Sequence, residues 1–193
     1  MKFDEADIQA QVRTMQIVVV ALAAGVIFFG VLTVTVFRDA TRPPVAPGPM
    51  ILGLPLLTAL AAVVGALTLI ASIVAPRLMV ANGLRMIAGG LTLDETRPTS
   101  SGQRQVYPAG DVGRLLPLFQ AQLIVASAMN EGGALFALLA YMMEGEPLSL
   151  AVAGALLAVL LSRFPTVDRV GTWLELHLER LADLRRDGFS TGP

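Results

Sequence analysis

Four apolar stretches, residues 17–37, 50–75, 115–143 and 148–161, alternate along the chain with shorter polar segments. A bilayer core about 30 Å thick takes about 20 apolar residues at 1.5 Å each. The first three runs meet that length. The second exceeds it, so it should tilt or begin after Pro55. The fourth is short, and crosses only if Arg163 snorkels and Phe164 sits at the interface. The pattern predicts an all-α fold: an integral membrane four-helix bundle of two hairpins, residues 17–75 and 115–163. An N-terminal cytoplasmic segment (1–16), a long cytoplasmic loop (76–114) and a cytoplasmic amphipathic C-terminal helix (within 164–193) complete it.

The polar segments set the ends of these elements. Residues 38–49 form a Pro-rich turn that cannot continue a helix. In the long loop, residues 77–88 either extend the second helix or fold along the surface, and Leu91-Thr92-Leu93 could pair with Gln105-Val106-Tyr107 as a small hairpin. Asp111 could cap the third helix, with Pro117 tolerated in its first turns. Glu144 to Pro147 reads as a tight acidic turn. Phe3, Ile8, Val12 and Met15 either share one face of a short interfacial helix or belong to a frayed end. Asp4, Glu5 and Asp7, ahead of a long apolar run, do not resemble a cleavable signal peptide.

Orientation follows from the cations, because Lys and Arg in short loops stay cytoplasmic. With both termini inside, only Arg38 and Arg42 of the 14 Lys and Arg residues lie outside. This bias requires an even number of crossings. It places the chain in the inner membrane with a cytoplasmic tail, and Glu144 and Glu146 then face outward.

Composition agrees: the chain is 54% hydrophobic and 15% charged, with mean hydropathy +0.68. A net charge of −1 gives no footing for nucleic acid. No cysteine is present, which removes disulfides and thiol chemistry. Lys2 as the single lysine, among abundant Ala, Leu, Gly and Val, fits a GC-rich bacterial genome. The chain lacks H-E-x-x-H, P-loop and G-x-S-x-G signatures, so no enzyme and no cofactor are expected. His177 has an ordinary surface or interfacial role on the tail helix.

The tail carries Thr172-Trp173-Leu174-Glu175, which fits an S/T-x-x-E capping box, and Gly188, which would stop the helix. Between them Trp173, Leu174, Leu178 and Leu181 make an apolar face. The opposite face mixes acids with arginines and lacks the basic excess of a lipid-held helix. These four residues are the expected partner-binding surface. The partner could be the protein's own loop, a second copy or a cytoplasmic protein; a solvated end cap is the alternative.

Two features concern the apolar runs. Thr58, Gly65 and Ser72 recur every seven residues, a small weakly polar stripe suited to close helix contact. The chain also shows a faint duplication. Ile17, Val18, Ala21, Gly25 and Phe29 match Ile124, Val125, Ala128, Gly132 and Phe136, and Gly53-x-Pro55-Leu56 matches Gly145-x-Pro147-Leu148. Such a parallel repeat has its axis along the membrane normal. Ala24 then stands where the second copy has Glu131.

Glu131 is the residue that apolarity does not explain. Counted between Arg114 and Glu144 it falls near half depth, where a charged acid costs roughly 2.5–3.5 kcal/mol on insertion scales. The uncharged acid is therefore the expected resting form. Gln120 and Ser127 lie on the same helical face, and Ser127 could bond the carboxyl. Two roles stay open: a neutral hydrogen-bonded contact between helices, or a proton or cation site formed by Glu131, Ser127 and Gln120.

The segment QAQLIVASAMNEGGALF, residues 120–136, resembles the ion-carrying helix of the c-subunits of rotary ATP synthases. The resemblance implies that Glu131 is a proton- or sodium-binding carboxylate and that Gln120 lies near the cytoplasmic end. It is local, since the long loop, the added helices and the tail have no counterpart in that family.

Two functions follow as expectations. One is a non-enzymatic scaffold or accessory subunit acting through loop and tail. The other is a component of a proton- or cation-handling membrane complex using Glu131, as a homo-oligomer or with other subunits. The lipid bilayer is a partner in both.

Overall fold

The structure is a computed structural model describing residues 5–36, 49–51, 53–89 and 110–190, with side chains of 5–8 and 187–190 excluded. The described chain is all-α. Its elements are α1 (Glu5–Thr35), a two-residue antiparallel pair β1 (Met50–Ile51) and β2 (Leu54–Pro55), α2 (Leu56–Ala88), α3 (Asp111–Glu144), α4 (Pro147–Ser162) and α5 (Val167–Ser190). The expected 91–93 and 105–107 hairpin, the turn over 38–48, and the side chains of Phe3 and Ile8 lie outside the described residues.

Three helices are long and apolar enough to cross a membrane: Gln9–Thr35, Leu56–Ala88 and Asp111–Glu144. A fourth crossing is reached only if α4 and α5, broken at Arg163–Thr166, count as one interrupted span. The 16 residues of α4 reach roughly 24 Å, less than a bilayer core. By contrast the 33 and 34 residues of α2 and α3 reach about 50 Å, well beyond one. Residues 77–88 therefore continue α2, and α2 starts directly after Pro55.

The chain forms two compact units whose boundaries run through the helices. Unit 2 comprises Ile17–Ala75 and Ile124–Phe164; unit 1 comprises Met1–Gln16, Pro76–Leu123 and Pro165–Pro193.

Unit 2 packs around small side chains. Ala61, Ala134 and Ala137 are fully buried, joined by Val26, Leu138, Ala153 and Leu156. The helices come so close that a Cβ on Gly65 would lie 2.7 Å from Val152 and one on Gly133 2.5 Å from Thr68 Oγ1. The stripe on α2 makes the expected contacts. Thr58 Oγ1 meets Ser149 Oγ at 2.9 Å, Gly65 faces Val152 and Leu156, and Ser72 receives Arg163. The outer surface is apolar, with Ile17, Phe28, Leu67 and Ile70 more than half exposed.

The contacts also follow the duplication. Thr58 to Ser149 and Ser72 to Arg163 are both separated by 91 residues, within one residue of the separation between Gly53 and Gly145. Gly25 faces Glu131 and Gly30 faces Leu138, each within one residue of the Gly25 to Gly132 offset. Along each pair the contacting residues advance in the same direction on both helices, so α1 runs parallel to α3 and α2 to α4. Gly53 and Gly145 moreover share a left-handed backbone, φ 79° and 71°, which favours glycine.

Unit 1 joins the ends of α1, α2 and α3 to α5. Val12, Met15, Leu84, Ile87, Leu115, Leu116, Leu174 and Leu181 are among its buried residues. The helix of the tail begins six residues earlier than a cap at Thr172 implies. Thr166 Oγ1 accepts the Arg169 N–H at 3.3 Å, which makes Thr166 the cap after Pro165 and leaves Thr172 exposed within the helix. Gly188 does not stop α5, which runs to Ser190.

Candidate functional site

Within unit 2, Glu131 stands where the buried face of α3 meets its exposed face. At 100° per residue, Ala126, Asn130, Ala134 and Ala137 point inward, Ala128 and Gly132 outward, and Glu131 lies at the margin. Its carboxyl faces the Gly25 backbone of α1, where a Cβ would lie 3.5 Å from Glu131 Oε1, an ordinary contact. No hydrogen bond to the carboxyl is found among the described residues.

Ser127 does not bond Glu131. Its Oγ is fully buried and unpartnered, and so are both Nδ2 and Oδ1 of Asn130. Orphaned buried polar atoms are rare and costly. The remaining hydroxyls of this unit behave ordinarily: Thr33, Thr68 and Ser72 donate to carbonyls within their own helices, at 2.8, 3.0 and 2.8 Å. Ser127 and Asn130 are thus exceptional on the same turn that carries the acid. Gln120 belongs to unit 1, where its Oε1 accepts from Gln11 Nε2 at 3.3 Å.

Two further polar clasps were not legible as functional in the sequence. Glu144, at the end of α3, accepts from the Leu57 and Thr58 amides at 2.8 and 2.7 Å and from Thr58 Oγ1 at 2.7 Å. It thereby caps α2 from another helix, serving amide groups that have no partner inside it. Arg163 does not extend away but donates through Nη1 to the Ser72 carbonyl at 2.7 Å and through Nη2 to Ser72 Oγ at 3.1 Å. The signal for it lies in Pro76, four residues after Ser72, which has no amide to offer that carbonyl.

In unit 1 the expected partner-binding face is occupied by the chain itself. Leu174 and Leu181 are each 1% exposed, and Leu178 is half-buried. The Trp173 ring meets Phe119 of α3 edge-on at 5.1 Å and stacks on His177 at 3.9 Å. His177 is buried rather than superficial, and its Nδ1 donates to the Trp173 carbonyl at 2.7 Å. Burial, with repulsion from Arg180 and against the Trp173 hydrogen bond, holds its pKa below the ordinary value. Arg185 forms a bidentate pair with Asp111 at 2.7 and 2.8 Å, which holds the Asp111 carboxyl below its usual range despite some desolvation.

Among the described residues no cluster of three His, Cys, Asp or Glu side chains could hold a metal. No family model, no curated protein and no solved structure matches this chain.

Proposed function

We propose that this protein crosses the bacterial inner membrane four times, with both termini cytoplasmic, and handles protons or cations at Glu131. The thickness of unit 2 supports the crossings of α2 and α3, and α4, at roughly 24 Å, completes the fourth with Arg163 and Phe164 at the interface. Residues 124–144 of α3 and 56–75 of α2 each reach roughly 30 Å, one bilayer core. The parallel pairing of α1 with α3 and of α2 with α4 is what four alternating passes require. Counted back from Glu144, Glu131 then lies roughly 20 Å deep, a little to the cytoplasmic side of the middle. The observation that carries the reading is the company Glu131 keeps: an acid against the bare backbone of Gly25, with two buried orphan polar side chains on its own turn. The protein works as a homo-oligomer or beside other membrane subunits, since one protomer of four helices offers little pathway.

The test is Glu131→Gln in reconstituted vesicles. It is expected to abolish proton- or sodium-driven flux and labelling by a hydrophobic carbodiimide while leaving insertion and yield unchanged. Flux that survives the substitution would end the proposal.

A second reading, a non-enzymatic accessory subunit engaging a cytoplasmic partner, is favoured by the helical body formed in unit 1. Its contact surface moves from the occupied face of α5 to the outer face, where Leu176 and Leu184 are 47% and 37% exposed. A partner retained by wild type in mild detergent and lost on Leu176→Glu would favour it.

A further inference from the structure

Ser127 and Asn130 present three orphan atoms, and their chemistry restricts what can meet them. Asn130 exposes its amide N–H groups through Nδ2 and its lone pairs through Oδ1, both unpartnered and both sealed from solvent. A guest satisfying both must donate and accept. A metal cation only receives lone pairs, so it would satisfy Oδ1 and leave the N–H groups of Nδ2 unmet. It would also find one carboxylate, one hydroxyl and one amide oxygen, where hard cations take about six oxygens. Water donates two hydrogen bonds and accepts two, and buried waters of this kind usually bind about three polar groups. Ser127 is positioned to join the two ends of the cluster, since helical phase puts it about 40° from Glu131 and about 60° from Asn130.

We propose that Ser127 and Asn130 hold one or two ordered waters on the buried side of Glu131, and that the site consequently exchanges protons rather than a metal cation. The inference rests on the reading of Glu131 as an ion-handling group and specifies its ion. One water accepting from Asn130 Nδ2 and donating to Ser127 Oγ, with a second accepting from Ser127 Oγ and donating to the carboxyl, would link the interior of the unit to Glu131. A proton leaving Glu131 then has an acceptor inside the protein, and the anion that remains has a donor.

The experiment is infrared titration of the protein in lipid vesicles, with the protonated-carboxyl band assigned by its disappearance in Glu131→Gln. Asn130→Leu, similar in volume and apolar, removes the amide; Ser127→Ala removes the hydroxyl should the first variant fail to fold. Either variant is expected to move the midpoint of the Glu131 band upward by about one pH unit, because the carboxylate loses a water-borne donor. Adding sodium is expected to leave the wild-type midpoint in place. Two results would overturn the proposal: a midpoint that neither variant moves, or a midpoint that falls with sodium; with the first, an Asn130→Leu protein that melts higher than wild type would show that the orphans are dry. These outcomes are independent of the flux assay, so loss of the ion-handling reading and loss of the water site are told apart.

Discussion

Arg163 supplies to the Ser72 carbonyl the donor that Pro76 withholds. The Nη1 contact is 2.7 Å, and Ser72 is fully buried. A proline inside a helix removes one rung of its ladder, and the freed carbonyl must be met from elsewhere. Here a cation from the end of α4 meets it. Arg163→Leu is expected to lower stability in detergent by about 1.5–3 kcal/mol, the range for hydrogen bonds to charged groups. Adding Pro76→Ala restores an amide at that position and should recover much of the loss. Additive effects of the two substitutions in thermal unfolding would contradict this account.

Glu144 and Glu146 sit in one turn but do different work. Glu144 holds two amides and a hydroxyl of α2, whereas Glu146, at the N-cap of α4, makes no side-chain cap hydrogen bond. Glu144→Ala is expected to cost about 1–2 kcal/mol, as loss of a helix cap does, and Glu146→Ala close to nothing. Equal melting temperatures for the two variants would show that the clasp contributes nothing to stability.

The apolar runs announced the helices because spanning length and absence of charge are local properties. The stripe of Thr58, Gly65 and Ser72 announced its packing for the same reason. Glu131 was conspicuous by its charge alone. Its surroundings were not legible, because whether Ser127 turns to the acid or away depends on how α3 is rotated against its neighbours. The tail was half legible: its apolar face was plain, but a capping box at Thr172 competed with a simpler cap at Thr166, and the proline before Thr166 decided the start of α5. Amphipathicity shows that a face will be covered and does not say by what; here Phe119 of α3 meets Trp173. The roles of Arg163 and Glu144 required knowledge of which helices run side by side.

Two adjacent glycines of α3 differ in what surrounds them. A Cβ on Gly133 would lie 2.5 Å from Thr68 Oγ1 and 3.0 Å from Leu156, while one on Gly132 would meet nothing within 4 Å. Gly133→Ala must therefore push α3 away from α2 and α4, at a cost of about 1–3 kcal/mol typical of overpacking. Gly132→Ala should be tolerated or slightly stabilising, since alanine is the better helix former. Thr68→Ser should rescue little, as the clash is with Oγ1, whereas Thr68→Ala should rescue part. Melting temperatures of the four variants decide the matter.

Acid should loosen α5 in two stages, and the sign is the same in both. The folded pKa of His177 lies below its ordinary 6.5, chiefly through burial, so folded protein binds fewer protons than unfolded protein below that pH. Its contribution is complete above pH 6.5 and is lost as pH falls through the folded value. Asp111 follows at lower pH. Its carboxyl, held below 3.8 chiefly by the Arg185 hydrogen bonds, contributes fully above that value and loses its contribution as pH falls through the folded one. The pair is about one-third exposed, so solvent screening keeps this second stage small. The measurement is hydrogen exchange at the α5 amides, corrected for the intrinsic effect of pH on exchange. Protection at Leu174 and Leu178 is expected to fall as pH drops below 6.5 through the folded pKa of His177. His177→Phe, which keeps a ring against Trp173 and cannot take a proton, should abolish that first decline, and Asp111→Asn should abolish only the second. If wild type and His177→Phe lose protection in parallel across the higher window, the buried imidazole is not what senses the acid.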